Sequence, residues 1–344
     1  MEAPVGVLVV DDSAVIRDVI TRGIGADPAI KVVGAAANGE AALSLLAALA
    51  PDVILLDVEM PVMDGMTALP KILAARPGVS VIMASALTRR HAGMSLRAIE
   101  LGAADYVPKA DASVANAAPA FLEELRLKIK AHGRRRRNVQ TARPAPAAFG
   151  AARASALAIA SSTGGPPALL RIFKRAKGAV RVPVFITQHM PASFTAMLAE
   201  QLGQVSGAPA FEGADGMSVK AGCIYVAPGG KHMLIERAQS GAVLRLSDGA
   251  PENFCKPAAD PMLRSLAGVY GAGLMACVLT GMGRDGADGC VAVAKAGGRF
   301  FVQDEASSVV WGMPGAAFKT GRAMGQLSLE DAADYLAQAM RGGQ

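Results

Sequence analysis

Two groups of residues in this 344-residue chain have the types and spacing for chemistry. The first is acidic. Asp11 and Asp12 follow the apolar run VGVLVV, Asp57 closes VILLD, Ser85 follows VSVIMA, and Lys109 follows DYVP. If these runs are parallel strands, all five residues meet at one carboxyl edge of a sheet, where functional groups of such folds gather. Three carboxylates at one edge repel each other unless a cation lies among them, and hard oxygen ligands suit Mg²⁺. Asp57 is then a nucleophile toward a phosphoryl group, Lys109 neutralises phosphate charge, and Ser85 donates to the new phosphoryl oxygen. The competing reading makes these acids ordinary helix caps, with Asp12 the N-cap of the segment that follows it. Five suitable residues at five successive strand ends argue against it.

The second group centres on a serine. LAIASSTGGPPALL reads as a strand, a tight turn at 161–165 and a helix opening at its prolines. A serine held there meets the positive end of a helix dipole and free backbone N–H groups, which suit a developing oxyanion. The turn is not a G-x-S-x-G elbow. His189 follows the run VPVFITQ, and Asp285 lies in a glycine-rich turn after LMACVLT. Ser162, His189 and Asp285 together have the composition of a nucleophile, base and orienting acid. Ser161 remains open as the nucleophile. His232 is the other candidate base, expected on a hairpin-like surface turn. Because the base must be neutral, the rate is expected to rise with pH through a group titrating at about 6–7.

These residues need two frameworks. Strands are expected at 5–10, 30–36, 53–57, 79–84 and 105–107, with helical segments including 14–24, 38–50 and 89–101 and a closing helix at 116–131. Strand–helix alternation of this kind implies a flavodoxin-like, five-stranded parallel sheet. Residues 132–154, rich in Arg, Ala and Pro, read as a linker. A second alternation from Leu157 to a helix at 328–340 implies a doubly wound, mainly parallel α/β domain of serine-hydrolase type. The expected division is 1–131, 132–154 and 155–344.

Composition narrows the function. Residues 1–130 carry 12 basic and 15 acidic side chains, residues 131–155 six arginines and no acid, and residues 156–344 17 basic and 14 acidic. The net charge of +6 therefore equals the excess of one short segment and is no argument for nucleic-acid binding. Apolar runs fall short of the roughly 18–20 residues that span a bilayer, and the N-terminus shows no secretory signal, so a cytoplasmic protein without membrane insertion is expected. Cys223, Cys255, Cys277 and Cys290 show no metal-like spacing and are expected to be buried or idle thiols.

Motifs on both halves identify a family. VDDS, LLDVEMPVMDG, MASALT and YVPKA resemble the receiver domains of two-component response regulators. SSTGGP, ITQHMP, YVAPGGKHM, LTGMGRDGADG and QDEASSVVWGMP resemble the esterase domain of the chemotaxis response-regulator protein-glutamate methylesterases. The resemblance implies phosphorylation of Asp57 by a histidine kinase, with Mg²⁺ held by Asp11, Asp12, Asp57 and the backbone carbonyl of Glu59. It implies Ser162 as nucleophile, His189 as base, Asp285 as orienting acid and the backbone at Met282 as an oxyanion donor. The implied substrate is a glutamyl methyl ester on the cytoplasmic helices of a chemoreceptor, with glutamine deamidation as a second activity. An unphosphorylated receiver is implied to shield Ser162. The chain departs from the family at Ala110, where receivers usually carry proline, at Ala160-Ser161, where Gly-Ala is common, and at Cys255-Lys256, where His-Arg is common. Two rivals remain. Gly281–Gly286 fits G-x-G-x-x-G with Asp304 about 20 residues on, a dinucleotide-binding pattern opposed by the carboxylate of Asp285. The run 134–137 suits DNA phosphates, but no helix-turn-helix pattern accompanies it, and 4% aromatic content gives little for single strands to stack on.

Overall fold

The computed structural model describes residues 3–86, 88–109, 117–138, 154–239 and 241–342. The chain forms two compact units, Met1–Thr141 and Ala142–Gln344.

The first unit alternates β1 (Val5–Val10), α1 (Ala14–Gly25), β2 (Ile30–Ala36), α2 (Gly39–Leu46), β3 (Val53–Asp57), α3 (Gly65–Ala75), β4 (Ser80–Ser85), α4 (Arg89–Glu100), β5 (Asp105–Pro108) and α5 (Ala117–Asn138). The strands are all parallel, in the order β2-β1-β3-β4-β5. Every residue of β1 and β3 is buried, which is why both read as unbroken apolar runs: helices cover the two faces of a parallel sheet. Side chains cap the helices. Ser13, Asn38, Asp64 and Thr88 each accept a backbone N–H of the first turn, worth about 1 kcal/mol apiece.

Helix α3 carries Pro70 in its interior. Two sequence readings change here. The cap of α1, given to Asp12 by the competing reading, is Ser13. The closing helix continues to Asn138 and takes in the arginine run assigned to the linker. Its inner face explains part of that persistence: Phe121, Leu125 and Ile129 join the core against β1, β3, β4 and β5. Beyond them Lys128 and His132, both buried, flank the buried carboxylate of Asp105 at 3.4 and 3.3 Å. Burial alone drives that carboxyl upward, but Lys128 and His132 outweigh it and hold it at about 2. Ala110 and residues 139–153 lie outside the described residues.

The second unit runs β6 (Ala156–Ser161), α6 (Gly165–Arg175), β7 (Val184–Gln188), α7 (Ala192–Ser206), β8 (Ala210–Glu212), β9 (Ile224–Val226), β10 (His232–Ala238), β11 (Gly241–Ser247), α8 (Ala259–Tyr270), β12 (Leu274–Val278), α9 (Ala287–Lys295), β13 (Arg299–Gln303), α10 (Met313–Phe318), β14 (Gln326–Leu327) and α11 (Leu329–Met340). Seven strands form a parallel sheet, β14-β13-β12-β6-β7-β9-β8, and β10 pairs antiparallel with β11 as a separate hairpin. Ala156, Ala158 and Ala160 of β6 pack with Met262, Leu263 and Leu266 of α8 and Cys290 and Val293 of α9. The alternate residues Leu157 and Ile159, also fully buried, face the opposite side of the sheet. The sheet is thus covered on both faces, as doubly wound folds require. From β6 the chain builds outward through β7, then returns on the other side with β12, so the crevice between β6 and β12 is the topological switch point where such sheets bind their ligands.

Candidate active site and phosphoacceptor site

At the carboxyl edge of the first sheet the five expected residues come together. Lys109 Nζ lies 2.8 Å from Asp11 Oδ2 and 2.7 Å from Asp57 Oδ2. Carboxylate oxygens of Asp11, Asp12 and Asp57 all lie within 4.8 Å of one another. Asp57 is buried, and its Oδ1 accepts the Val58 N–H. Burial raises the Asp57 carboxyl above its ordinary value; the Lys109 ammonium opposes this and the neighbouring Asp11 charge adds to it. Lys109 loses solvent too, but the two carboxylates outweigh that loss and strengthen its hold on the proton. The buried Asp11 Oδ2 faces Lys109 without a well-directed hydrogen bond, the condition of an acceptor suited to a further cation.

Ser85 ends β4 and is buried, its hydroxyl accepting that of Ser95 on α4 at 2.7 Å. Sequence reading missed Ser95, which no local pattern marks. The Glu59 side chain turns away from the acids toward His91 at 3.2 Å and Arg90 at 3.7 Å, so only its backbone is left for the role expected of it.

At the switch crevice of the second sheet, Ser162 leaves the end of β6. Its N–H donates to Thr280 O and its carbonyl accepts Gln188 Nε2 and the Gly165 N–H. Gly164, at φ 75°, makes the left-handed turn into α6, whose first turn holds Pro166 and Pro167. Ser161 is fully buried and donates its hydroxyl to Gln188 Oε1 at 2.7 Å, whereas Ser162 is partly exposed. The loop after β12 passes so close that a Cβ on Gly281 would lie 2.9 Å from Ser162 Cβ. The next residue, Met282, makes no backbone N–H hydrogen bond among the described residues.

His189, after β7, directs Nε2 to Asp285 Oδ2 at 2.7 Å. Asp285 is buried and fully partnered: Oδ2 also accepts the Ala259 N–H at 2.5 Å, and Oδ1 accepts those of Asp260 and Gly286. The first two donors open α8, so the positive end of that helix holds the carboxylate charged. Burial pushes Asp285 upward, but His189 and these amides bring it below its ordinary value. Asn253 clips the arrangement by donating to Asp260 Oδ2 at 2.9 Å and Asp285 Oδ1 at 3.3 Å. Asp260 is raised to about 6, first by burial and then by the charges of Asp285 and Asp288.

The remaining ring nitrogen, Nδ1, faces Cys255 Sγ at 3.4 Å. Cys223, Cys277 and Cys290 are buried as expected, but Cys255 is neither buried nor idle. Burial disfavours the His189 imidazolium, yet hydrogen bonds to Asp285 and Cys255 and their charge outweigh it and raise the group to about 9. A base raised in this way would place the alkaline limb above the 6–7 of an ordinary imidazole. His232 is also corrected: it opens β10, is buried, accepts the Ala258 N–H at Nδ1, and bonds Ala250 O through Nε2. Both its nitrogens are occupied by structure.

The dinucleotide reading fails on the same geometry. The Gly281–Gly286 segment holds Asp285 against His189, and Asp304 is buried with its Oδ1 accepting the N–H and hydroxyl of Ser307. Among the described residues no helix is long and apolar enough to cross a membrane.

Each half of the chain is similar to known proteins. Residues 157–336 match the family model described as CheB methylesterase, and residues 7–115 that of the response regulator receiver domain. A protein-glutamate methylesterase/protein-glutamine glutaminase 1 of Paramagnetospirillum magneticum is 47% identical, covering 96% of this chain and 94% of its own length. One of Azospirillum brasilense is 45% identical, covering 97% and 92%. Among solved structures, the CheB methylesterase catalytic domain of Thermotoga maritima superposes with a TM-score of 0.52 at 33% identity, covering 54% of this chain and 98% of that one.

Proposed function

The chain belongs to the CheB methylesterase family, with the activity of a protein-glutamate methylesterase/protein-glutamine glutaminase in chemotaxis adaptation, and from that premise we propose that Ser162, His189 and Asp285 perform the hydrolysis. The observation that carries this is the 2.7 Å bond from His189 Nε2 to a fully partnered Asp285, which leaves Nδ1 as the nitrogen able to take a proton. Ser162, partly exposed at the switch crevice, would supply that proton; its carbonyl and that of His189 both accept Gln188 Nε2, which ties the two residues together.

Ser162 Oγ attacks the ester carbonyl of a receptor glutamyl side chain as Nδ1 removes its proton. The carbonyl electron pair moves to oxygen, where the Met282 N–H and the amino end of α6 stabilise it. Collapse expels the methoxy group, which takes the proton from Nδ1 and leaves as methanol. Water then gives a proton to Nδ1 and attacks the acyl-serine, releasing glutamate and restoring Ser162. Glutamine follows the same route with ammonia leaving. Asp285 fixes the tautomer and balances the imidazolium throughout.

The receiver domain supplies control. A histidine kinase phosphorylates Asp57, Lys109 neutralises the phosphoryl charge, and the Ser85 hydroxyl turns to the new oxygen. Asp11, Asp12 and Asp57, with the Glu59 carbonyl, would hold Mg²⁺, which would shield the charge of the incoming phosphoryl group. The protein acts in the cytoplasm on the receptor's cytoplasmic helices, without nucleic acid and without membrane insertion. The test is methanol release from a methylated receptor fragment by Ser162→Ala and Ser161→Ala. The first loses about 10⁴–10⁶ of the rate, the second far less; the reverse order moves the nucleophile to Ser161.

A further inference from the structure

The catalytic imidazole has two faces, and in this structure the second is taken by sulfur. With Nε2 committed to Asp285, Nδ1 is the nitrogen that a neighbouring serine needs, and it sits 3.4 Å from Cys255 Sγ. A tight loop delivers this thiol. Asn253 and Phe254 both adopt left-handed backbone, at φ 51° and 63°, and the Asn253 side chain pins the loop to Asp260 and Asp285. The sulfur is thus anchored to the same carboxylate that anchors the base. Of the four cysteines it is the one not buried.

We propose that Cys255 is a positioning residue for the catalytic base: its thiol holds Nδ1 of His189 in the resting site and must release it before Ser162 can be deprotonated. The proposal rests on the assignment of His189 as the base. A neutral imidazole with its proton on Nε2 accepts at Nδ1 from the thiol. Moving that proton across the contact gives an imidazolium that donates from Nδ1 to a thiolate, and in that state it cannot take the serine proton. The sulfur therefore competes with Ser162 for one nitrogen and stabilises the protonated, inactive form.

The charged groups around the pair are few and otherwise engaged. Asp285 bonds Nε2, Asp260 is held by Asn253 and the Gly289 N–H, and Asp288 pairs with Arg284. Lys256 turns to the carbonyls of Asp248 and Gly249, Glu252 pairs with Arg264, and His232 is bonded at both nitrogens. Removing the sulfur leaves Asp285 as the direct charged partner of His189, and His189 stands at about 9 with both partners in place. While the midpoint stays above 7, each unit of downward shift raises the neutral share at pH 7 about tenfold.

The experiment uses the full-length chain. The His189 ring protons are followed by ¹H NMR against pH, with the signal among four histidines assigned by His189→Gln. Cys255→Ala should lower the midpoint by about one unit or more, and Cys255→Ser, which keeps the side-chain size, should move it in the same direction. Methanol release should then rise about tenfold at pH 7 in Cys255→Ala and change little at pH 10. A midpoint that stays or rises in both variants, or activity that falls equally at every pH, overturns the proposal and leaves the thiol a packing group. The titration needs no turnover, so it stands apart from the hydrolase assignment, which fails separately if Ser162→Ala still releases methanol.

Discussion

Gly281→Ala tests how closely the site depends on the approach of two loops. Gly281 is not among the left-handed glycines, so alanine meets no backbone penalty there and the effect is steric. The added Cβ would lie 2.4 Å from Met313 Sδ, 2.9 Å from Ser162 Cβ and 3.1 Å from Ser162 N. Ordinary contact begins at 3.4 Å, so Ser162 must retreat by about half an ångström and buried Met313 by about twice that. Overpacking of this size costs about 1–3 kcal/mol of stability. Displacing a nucleophile by up to about 1 Å costs up to about 10²-fold in rate. The expected result is a 10- to 100-fold lower kcat in methanol release, a smaller change in KM, and a Tm lower by a few degrees. A kcat within threefold of the parent with unchanged Tm would refute the claim that this contact positions Ser162.

Asp285→Asn offers an amide where His189 now finds an acceptor. If the imidazole turns its proton to Nδ1 it can no longer serve Ser162, and a loss of about 10³–10⁴ in kcat is expected, with the pH–rate limb moving down from about 9 because the anion that raises His189 is gone; rate measurements from pH 6 to 10 check both. Lys128→Met removes the ammonium that faces buried Asp105 beside His132 and should cost about 3 kcal/mol in urea unfolding of the first unit. The sign in pH follows from a depressed carboxyl: in the parent its contribution is complete above about 4 and lost as pH falls through about 2, and the variant should lose it at higher pH. Ser95→Ala removes the hydrogen bond that holds the Ser85 hydroxyl and should alter the response to acetyl phosphate severalfold while leaving the unstimulated rate unchanged, as paired methanol assays would record.

Much of this architecture could be read directly, because a buried parallel strand must be apolar throughout and its carboxyl end is where polar residues gather. The ends of β1, β3 and β5 predicted Asp11, Asp57 and Lys109, and those of β6 and β7 predicted Ser162 and His189. What escaped is mostly long-range. Cys255 meets His189 across 66 positions of chain, and Asn253 reaches Asp285 across 32, through a loop with no periodicity. His232 reads as a hairpin residue, and nothing local reveals that Ala258 and Ala250 fill both its nitrogens. Helix α3, one of the helices that the strand alternation requires, tolerates Pro70 because tertiary burial of Ala68, Leu69 and Ile72 overrides the local penalty. The arginine run reads as linker because it shows no apolar periodicity, yet it continues a helix nucleated by the buried face before it.

The most direct test of a Ser162 hydrolase governed by Asp57 is methanol release from a methylated receptor fragment, measured with the full-length chain in Mg²⁺ with and without acetyl phosphate. The parent should be slow alone and faster with the phosphodonor. Asp57→Asn should keep the slow rate and ignore the donor, and Ser162→Ala should release methanol at background under both conditions. Methanol release above background from Ser162→Ala, or full stimulation of Asp57→Asn, would contradict the account.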